Sequence, residues 1–287
     1  MAKRMALVTA SYDKDFDRCR LLCETLDRYV TGFETHYILV AHRDVALFKQ
    51  LASPNRIIVD ERDLLPRWLW SMPDPKTWGK RQIWVSPFTK PLYGWHVQQL
   101  RRIAIAEHVD VDGFLFCDSD VAFLREFSAD QLWQGDDIRL LRYDQAMLNP
   151  PTPPHRNWSD NAARIMGIKE HGQHDYIANV VSWRRDAVLA MCRHIEEQNG
   201  RSWVKVLGQA RDYSECILYG QYVDEIEKGR GHFHVDWSIC HVYWFGPAPD
   251  QAKFDAFMRD MRPDQVAIGL QSFMNMDSST VKRIVGL

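Results

Sequence analysis

The stretch "DGFLFCDSDVAFLREF", residues 112–127, decides how this chain is read. Its apolar run Phe114–Cys117 has the length and continuity of a strand buried on both faces, and it ends on two carboxylates, Asp118 and Asp120. Side chains at i and i+2 of an extended segment share a face, so both carboxylates enter one volume. Like charges that close are costly unless something positive joins them. A hard divalent cation, Mg2+ or Mn2+, takes oxygen ligands and completes its shell with substrate phosphates, which suits a nucleotide-diphosphate substrate. The plainer alternative is a strand cap or the start of a turn, a role Asp also fills.

Working outward, "GWHVQQLRRIAIAEHV" (94–109) repeats Trp95, Leu100, Ile103 and Ala104 at helical spacing and feeds directly into the strand. Upstream, "MALVTAS" (5–11), "HYILVA" (36–41) and "RIIVD" (56–60) read as strands, while "DFDRCRLLCETLDRYV" (15–30) and "DVALFKQLA" (44–52) read as helices. Downstream, "IRLLRYD" (138–144) and "YIANVVSW" (176–183) are strands, and "RDAVLAMCRHIEEQ" (185–198) is a helix that stops at Asn199-Gly200. Short strands alternating with longer helices predict an α/β domain with a mostly parallel central sheet flanked by helices. Such sheets bind ligands beyond the carboxyl ends of their strands, where Asp118 and Asp120 fall. The Pro-rich "NPPTPPHRNW" (149–158) reads as a loop inside this alternation, which leaves one domain.

Composition narrows the function classes. With 46% hydrophobic and 26% charged residues, the 287-residue chain is far from disordered or collagen-like compositions. Its 36 basic and 38 acidic side chains give a net charge of -2, without the basic footprint that nucleic acid requires, so no nucleic-acid partner is expected. The apolar run after "MAKR" is too brief for a signal-peptide core, and nothing approaches the roughly 18 apolar residues of a membrane span. A cytoplasmic location is therefore the expectation. Six cysteines are scattered among apolar neighbours without a CxxC pair, which fits buried thiols better than a zinc site.

The order of strand, DxD and a preceding helix bearing Gln and Arg resembles the GT-A-fold glycosyltransferases, which use nucleotide-sugars. "LVTASYDKDFDRCRLLCETLDRYV", "GWHVQQLRRIAIAE", "FLFCDSDVAF" and "DYSECILYGQYV" look like successive blocks of a bacterial GT-A-like family and together cover most of Ala6 to Val223. The resemblance implies a single GT-A-like (Rossmann-like) domain over 1–287, with a nucleotide-binding part over about 1–125 and an acceptor-binding part over about 126–287. It also implies transfer of a sugar from a UDP-sugar, or next a GDP-sugar, to a saccharide or lipid-linked acceptor in surface polysaccharide or glycolipid synthesis. Mn2+ or Mg2+ would sit on Asp118 and Asp120, with Ser119 beside the donor. Thr9, Tyr12 and Asp15 would contact base and ribose, and Arg101 or Arg102 would face the diphosphate. Read from the residues alone, Tyr12 and Asp15 also suit a turn with a helix cap, and the two arginines a solvated helix face. Gln98 and Gln99 are weaker candidates.

Two later segments complete the candidate set. In "RDYSECILYGQYV" (211–223), Ser214 could cap a helix whose first turn carries Glu215, a candidate general base for the acceptor hydroxyl. Acidic residues are also drawn to helix N-termini without any catalytic role. In "GHFHVDWSICHVYWF" (231–245), the resemblance implies that one late histidine returns to the metal; His241 is the favourite, whereas His232 and His234 could alternate on an exposed strand.

Residues 66–95 place Trp68, Trp70, Trp78, Trp84 and Trp95 among Arg67, Lys76, Lys80, Arg81 and Lys90. That mixture suits a saccharide, a lipid-linked acceptor or a peripheral contact with the membrane interface; the alternative is a long loop with buried indoles. Two other function classes remain in view. A haloacid-dehalogenase-type phosphohydrolase shares the strand and DxD of "FLFCDSDVAF", but Ala122 replaces the expected Thr or Val and the motif comes late in the chain. A nonenzymatic carbohydrate-binding module would keep the aromatics without needing Asp118, Asp120 and Glu215 together.

Overall fold

Five strands form the central sheet, in the spatial order Arg56–Asp60, Thr35–Val40, Met5–Ala10, Gly113–Cys117, Val180–Arg184. The first four run parallel, and Val180–Arg184 pairs antiparallel with Gly113–Cys117. This computed structural model describes residues 3–149, 153–169, 172–244 and 250–270. Within them the protein is a mixed α/β fold with a mostly parallel central sheet.

The two middle strands are buried at every residue, and the period of two divides them between two cores. Ala6, Val8, Phe114 and Phe116 face the larger core, under the helix Gly94–His108 with its Leu100, Ile103 and Ala104. Met5, Leu7, Leu115 and Cys117 face the other, against Leu22 and Leu26 of the helix Phe16–Tyr29. The helix Arg185–Asn199 stops at Gly200, whose φ of 65° is the left-handed conformation that a helix C-terminus favours.

Chain order along the sheet reverses between Met5–Ala10 and Gly113–Cys117. Just beyond Cys117 the chain leaves this sheet, and Val121–Phe123 pairs antiparallel with Ala267–Leu270, which itself lies parallel to Cys240–Tyr243. Asp118–Asp120 is therefore a three-residue link between two sheets. The helix Glu215–Gln221 approaches the same region and packs so closely that a Cβ on Gly220 would lie 2.2 Å from the Tyr176 ring. A mid-helix glycine ordinarily costs about 1 kcal/mol relative to alanine, and here it is what admits the ring.

Three expectations change. The Pro-rich stretch is not a loop from Pro153 onward: Pro153–Met166 is a helix, and prolines in a first turn have no needed N–H to lose. Residues 150–152 of that stretch lie outside the described residues. "DVALFKQLA" yields one α-turn, Val45–Phe48, followed by the 3-10 turn Lys49–Leu51. The tryptophan-rich region is not a long loop but carries an antiparallel hairpin, Trp70–Pro73 with Gln82–Val85, in which Trp84 is buried while Trp70 and Trp78 are exposed. All six cysteines are buried and free. Among the described residues, no helix is long and apolar enough to cross a membrane.

Candidate functional site

The reversal of strand order opens a crevice beyond Ala10 and Cys117, the position where open α/β sheets hold ligands. Tyr12 and Asp15 enter it from the first strand, and Asp118, Ser119 and Asp120 from the fourth. Ser119 Oγ donates to Asp15 Oδ2 at 3.5 Å and so links the two sides, while Arg18 Nη1 donates to Asp15 Oδ1 at 3.2 Å. The DxD turn is fixed by its backbone: Asp118 N–H donates to the Asn179 carbonyl at 2.9 Å, and Val121 N–H to the Asp118 carbonyl at 3.2 Å. Asn179 Nδ2 donates to Asp120 Oδ1 at 3.3 Å, and the buried Asn179 Oδ1 has no hydrogen-bond partner among the described residues.

Behind the pair stands Arg102. Its guanidinium lies 5.0 Å from the Phe116 ring centroid and 5.7 Å from that of Trp183. Nη1 reaches Glu215 Oε1 at 2.9 Å and Asp118 Oδ1 at 3.3 Å, so one buried cation joins two carboxylates. Burial opposes its charge, yet Glu215, foremost among the neighbouring groups, holds the guanidinium above its ordinary pKa. Gln99 Oε1 accepts the Glu215 N–H at 3.0 Å, doing at this helix start what the Ser214 hydroxyl does not. Arg101 is buried too, paired with Glu61 at 2.7 Å, and the Glu61 oxygens also accept from Trp84 Nε1. Neither arginine lies on a solvated helix face.

A cavity of about 440 Å³ adjoins the crevice, lined by Ser11, Tyr12 and Asp13 after the first strand, Arg43 and Asp44 after the second, Trp84, and Tyr93, Trp95 and Arg101 around the helix. Tyr12 belongs to both places. Its phenol is raised first by burial and then by the negative charge of Asp15, with Asp120 also contributing. Trp95 continues the aromatic lining onto Trp158, at a ring separation of 5.2 Å.

Several expected site residues lie elsewhere. Thr9 is fully buried inside the sheet, its Oγ1 3.0 Å from His36 Nε2, so the hydroxyl does not reach the crevice; Ser11 lines the cavity instead. His241 is not beside the carboxylates. Cys240, its neighbour on the strand, joins the core that holds Leu115 and Cys117, and alternation sends His241 to the opposite face, stacked on Phe257 at 4.2 Å with Nε2 2.9 Å from the Phe257 carbonyl. His232 is buried against the Tyr219 hydroxyl at 2.7 Å, and His234 pairs with Asp224 at 2.7 Å. Glu215 is 6% exposed and ion-paired, an arrangement unlike that of a base open to an acceptor. Trp68 is half-buried and packs against the larger core. Asn179 escaped the sequence reading, although a polar residue inside the otherwise apolar "YIANVVSW" was its signal.

The electrostatics of the pair give a test. Asp118 is pushed up to about 7, by burial first, with Arg102 opposing and Asp120, Glu215 and Asp15 adding to the rise. Asp120 is pushed up to about 6, by burial and then by Asp15. Folded carboxylates therefore keep protons that the unfolded chain releases near pH 4, so these two groups lower stability as pH rises toward about 7. A cation that replaces those protons reverses the sign. We expect the metal-free protein to lose melting temperature between about pH 4 and about pH 7 relative to an Asp118→Asn, Asp120→Asn variant, and Mn2+ affinity to rise over the same interval. A calorimetric Mn2+ affinity that stays flat with pH would remove the pair as ligands.

Among the described residues, no group of three His, Cys, Asp or Glu side chains is arranged to hold a metal. Mg2+-type sites commonly use one or two carboxylates and take the rest of their shell from substrate phosphates and water. Asp118, Asp120 and the unpartnered Asn179 Oδ1 supply a hard-oxygen set of that kind. A model of the family described as "Family of unknown function (DUF6492)" matches residues 5–276. No curated protein matches the chain.

Proposed function

The chain belongs to this DUF6492 family, and we propose that it is a metal-dependent glycosyltransferase with a GT-A-like fold. Its reaction moves a sugar from a nucleotide-diphosphate donor to a saccharide or lipid-linked acceptor. One observation carries the reading: two carboxylates with raised pKa values meet Tyr12 and Asp15 where the strand order reverses, beside a cavity large enough for a nucleoside. The cavity, with Tyr12, Tyr93 and Trp95 in its lining, holds the base and ribose. Asp118 and Asp120 hold the cation, which when bound offsets the charge of the diphosphate leaving group. Arg102 orients Asp118 and opposes the rise in its pKa, and Glu215 holds Arg102 in place. Glu215 is thus a positioning residue in this reading. Asn179 orients Asp120.

A thermal-shift panel of UDP, GDP and their sugars, with and without Mn2+, tests the proposal. A ligand that binds only the folded state raises the melting temperature, and a hundredfold excess over Kd corresponds to about 2.7 kcal/mol. A shift that needs both nucleotide and cation is expected. Were no nucleotide diphosphate to shift the protein in the presence of Mn2+, the donor site would have to be given up.

A further inference from the structure

We propose that the hairpin formed by Trp70–Pro73 and Gln82–Val85 is a docking surface for an anionic phospholipid bilayer. The two strands pair with each other and join no larger sheet, and Trp84 alone bridges onward to Leu92. Three large apolar side chains stand in solvent on it or at its tip: Trp78 is 93% exposed, Trp70 56% and Met72 41%. Trp78 has a φ of 54°, left-handed backbone that a bulky residue rarely adopts. The turn that imposes it is built by Asp74, whose carbonyl accepts from the Thr77 and Gly79 N–H groups and whose Oδ1 accepts from the Lys76 N–H at 2.9 Å. The indole is thereby held outward.

Charge selects the partner. Residues 66–95 hold five cations, Arg67, Lys76, Lys80, Arg81 and Lys90, in a chain whose net charge is -2. All five are exposed, and none forms an ion pair with the described residues. The one acid of the stretch, Asp74, is buried in the turn. A neutral saccharide would leave those cations unused. Exposed tryptophan beside unpaired Lys and Arg is the composition that settles at a headgroup layer, the indole at the polar–apolar boundary and the cations on anionic lipid. Lys80 and Arg81 also line the large cavity, so docking brings its mouth to the bilayer, where a lipid-linked acceptor would lie. Membrane binding of this kind stands whether or not the cleft transfers sugar.

Co-sedimentation of the full chain with vesicles decides the matter. The parent should pellet with phosphatidylcholine vesicles containing phosphatidylglycerol, far less with phosphatidylcholine alone, and less again as salt is raised. Trp78→Ser with Lys76→Glu, neither of which lines the cavity, should lower the partition about tenfold or more at an unchanged melting temperature. If that variant folds poorly, Arg67→Glu with Lys90→Glu reads the same charge dependence from outside the turn. Absence of pelleting by the parent, equal pelleting with neutral and anionic vesicles, or parent-like partition in a folded variant would each overturn the proposal.

Discussion

Asp120→Ala should abolish Mn2+-dependent binding of a nucleotide diphosphate while leaving the fold intact. The carboxylate sits on a short link between two sheets, does not belong to any apolar core, and is itself destabilised by burial and by Asp15. Its removal therefore relieves repulsion rather than opening a core cavity, and the metal-free melting temperature should hold or rise. The loss of function is far larger. Residues that only orient a metal ligand cost about 10–100-fold in affinity when mutated, so deleting a ligand carboxylate should weaken calorimetric binding by at least about 100-fold. Asn179→Ala, which removes the donor to Asp120 Oδ1 and the unpartnered Oδ1 together, should fall between mutant and parent. Unchanged affinity in Asp120→Ala would return the DxD to the role of a strand cap.

The parts of this site that were legible in the sequence are those whose signals are local. The strand Gly113–Cys117 and the helix Gly94–His108 announced themselves through periodicity, and the chain's alternation of strands and helices was enough to put Asp118 and Asp120 at a sheet end. Interactions between distant strands leave no such trace. Thr9 is withdrawn by His36, whose Nδ1 accepts from Arg56 Nε at 3.0 Å, and Arg56 in turn pairs with Asp27 at 2.6 Å. That polar chain, buried as far as Arg56, crosses three neighbouring strands and ends on an exposed helix residue, with partners tens of residues apart. His241 failed for a different reason: a shift of one residue along a strand exchanges faces, and nothing local distinguishes it from Cys240. Proline misled at 153 because it can either break a helix or open one, and the choice rests on whether the next residues sustain helical turns. Gln99 was the least legible of all, since its role is to cap a helix that begins 116 residues later.

Glu215→Gln separates the two roles open to this carboxylate. The amide keeps the shape, and the bond from the Glu215 backbone N–H to Gln99 does not depend on the side chain. What disappears is the closer of the two negative partners of Arg102, 2.9 Å away against 3.3 Å for Asp118. Breaking a buried ion pair outright costs about 3–5 kcal/mol, but Arg102 here keeps Asp118, so a smaller loss of stability is expected. The guanidinium then falls to Asp118 alone. Its carboxylate is drawn toward Arg102, and its pKa, now about 7, moves down as the repulsion from Glu215 disappears. A carboxylate committed to Arg102 is a poorer cation ligand. A positioning role therefore predicts weaker Mn2+-dependent donor binding, by about tenfold or more on the scale of orienting residues, with turnover falling in step. A general base would behave otherwise: about 10²- to 10⁴-fold would be lost in turnover, while donor affinity and its metal dependence stayed as in the parent. A collapse of turnover at constant donor Kd would give Glu215 the acceptor's proton, and would require the Arg102 pair to open when substrate binds.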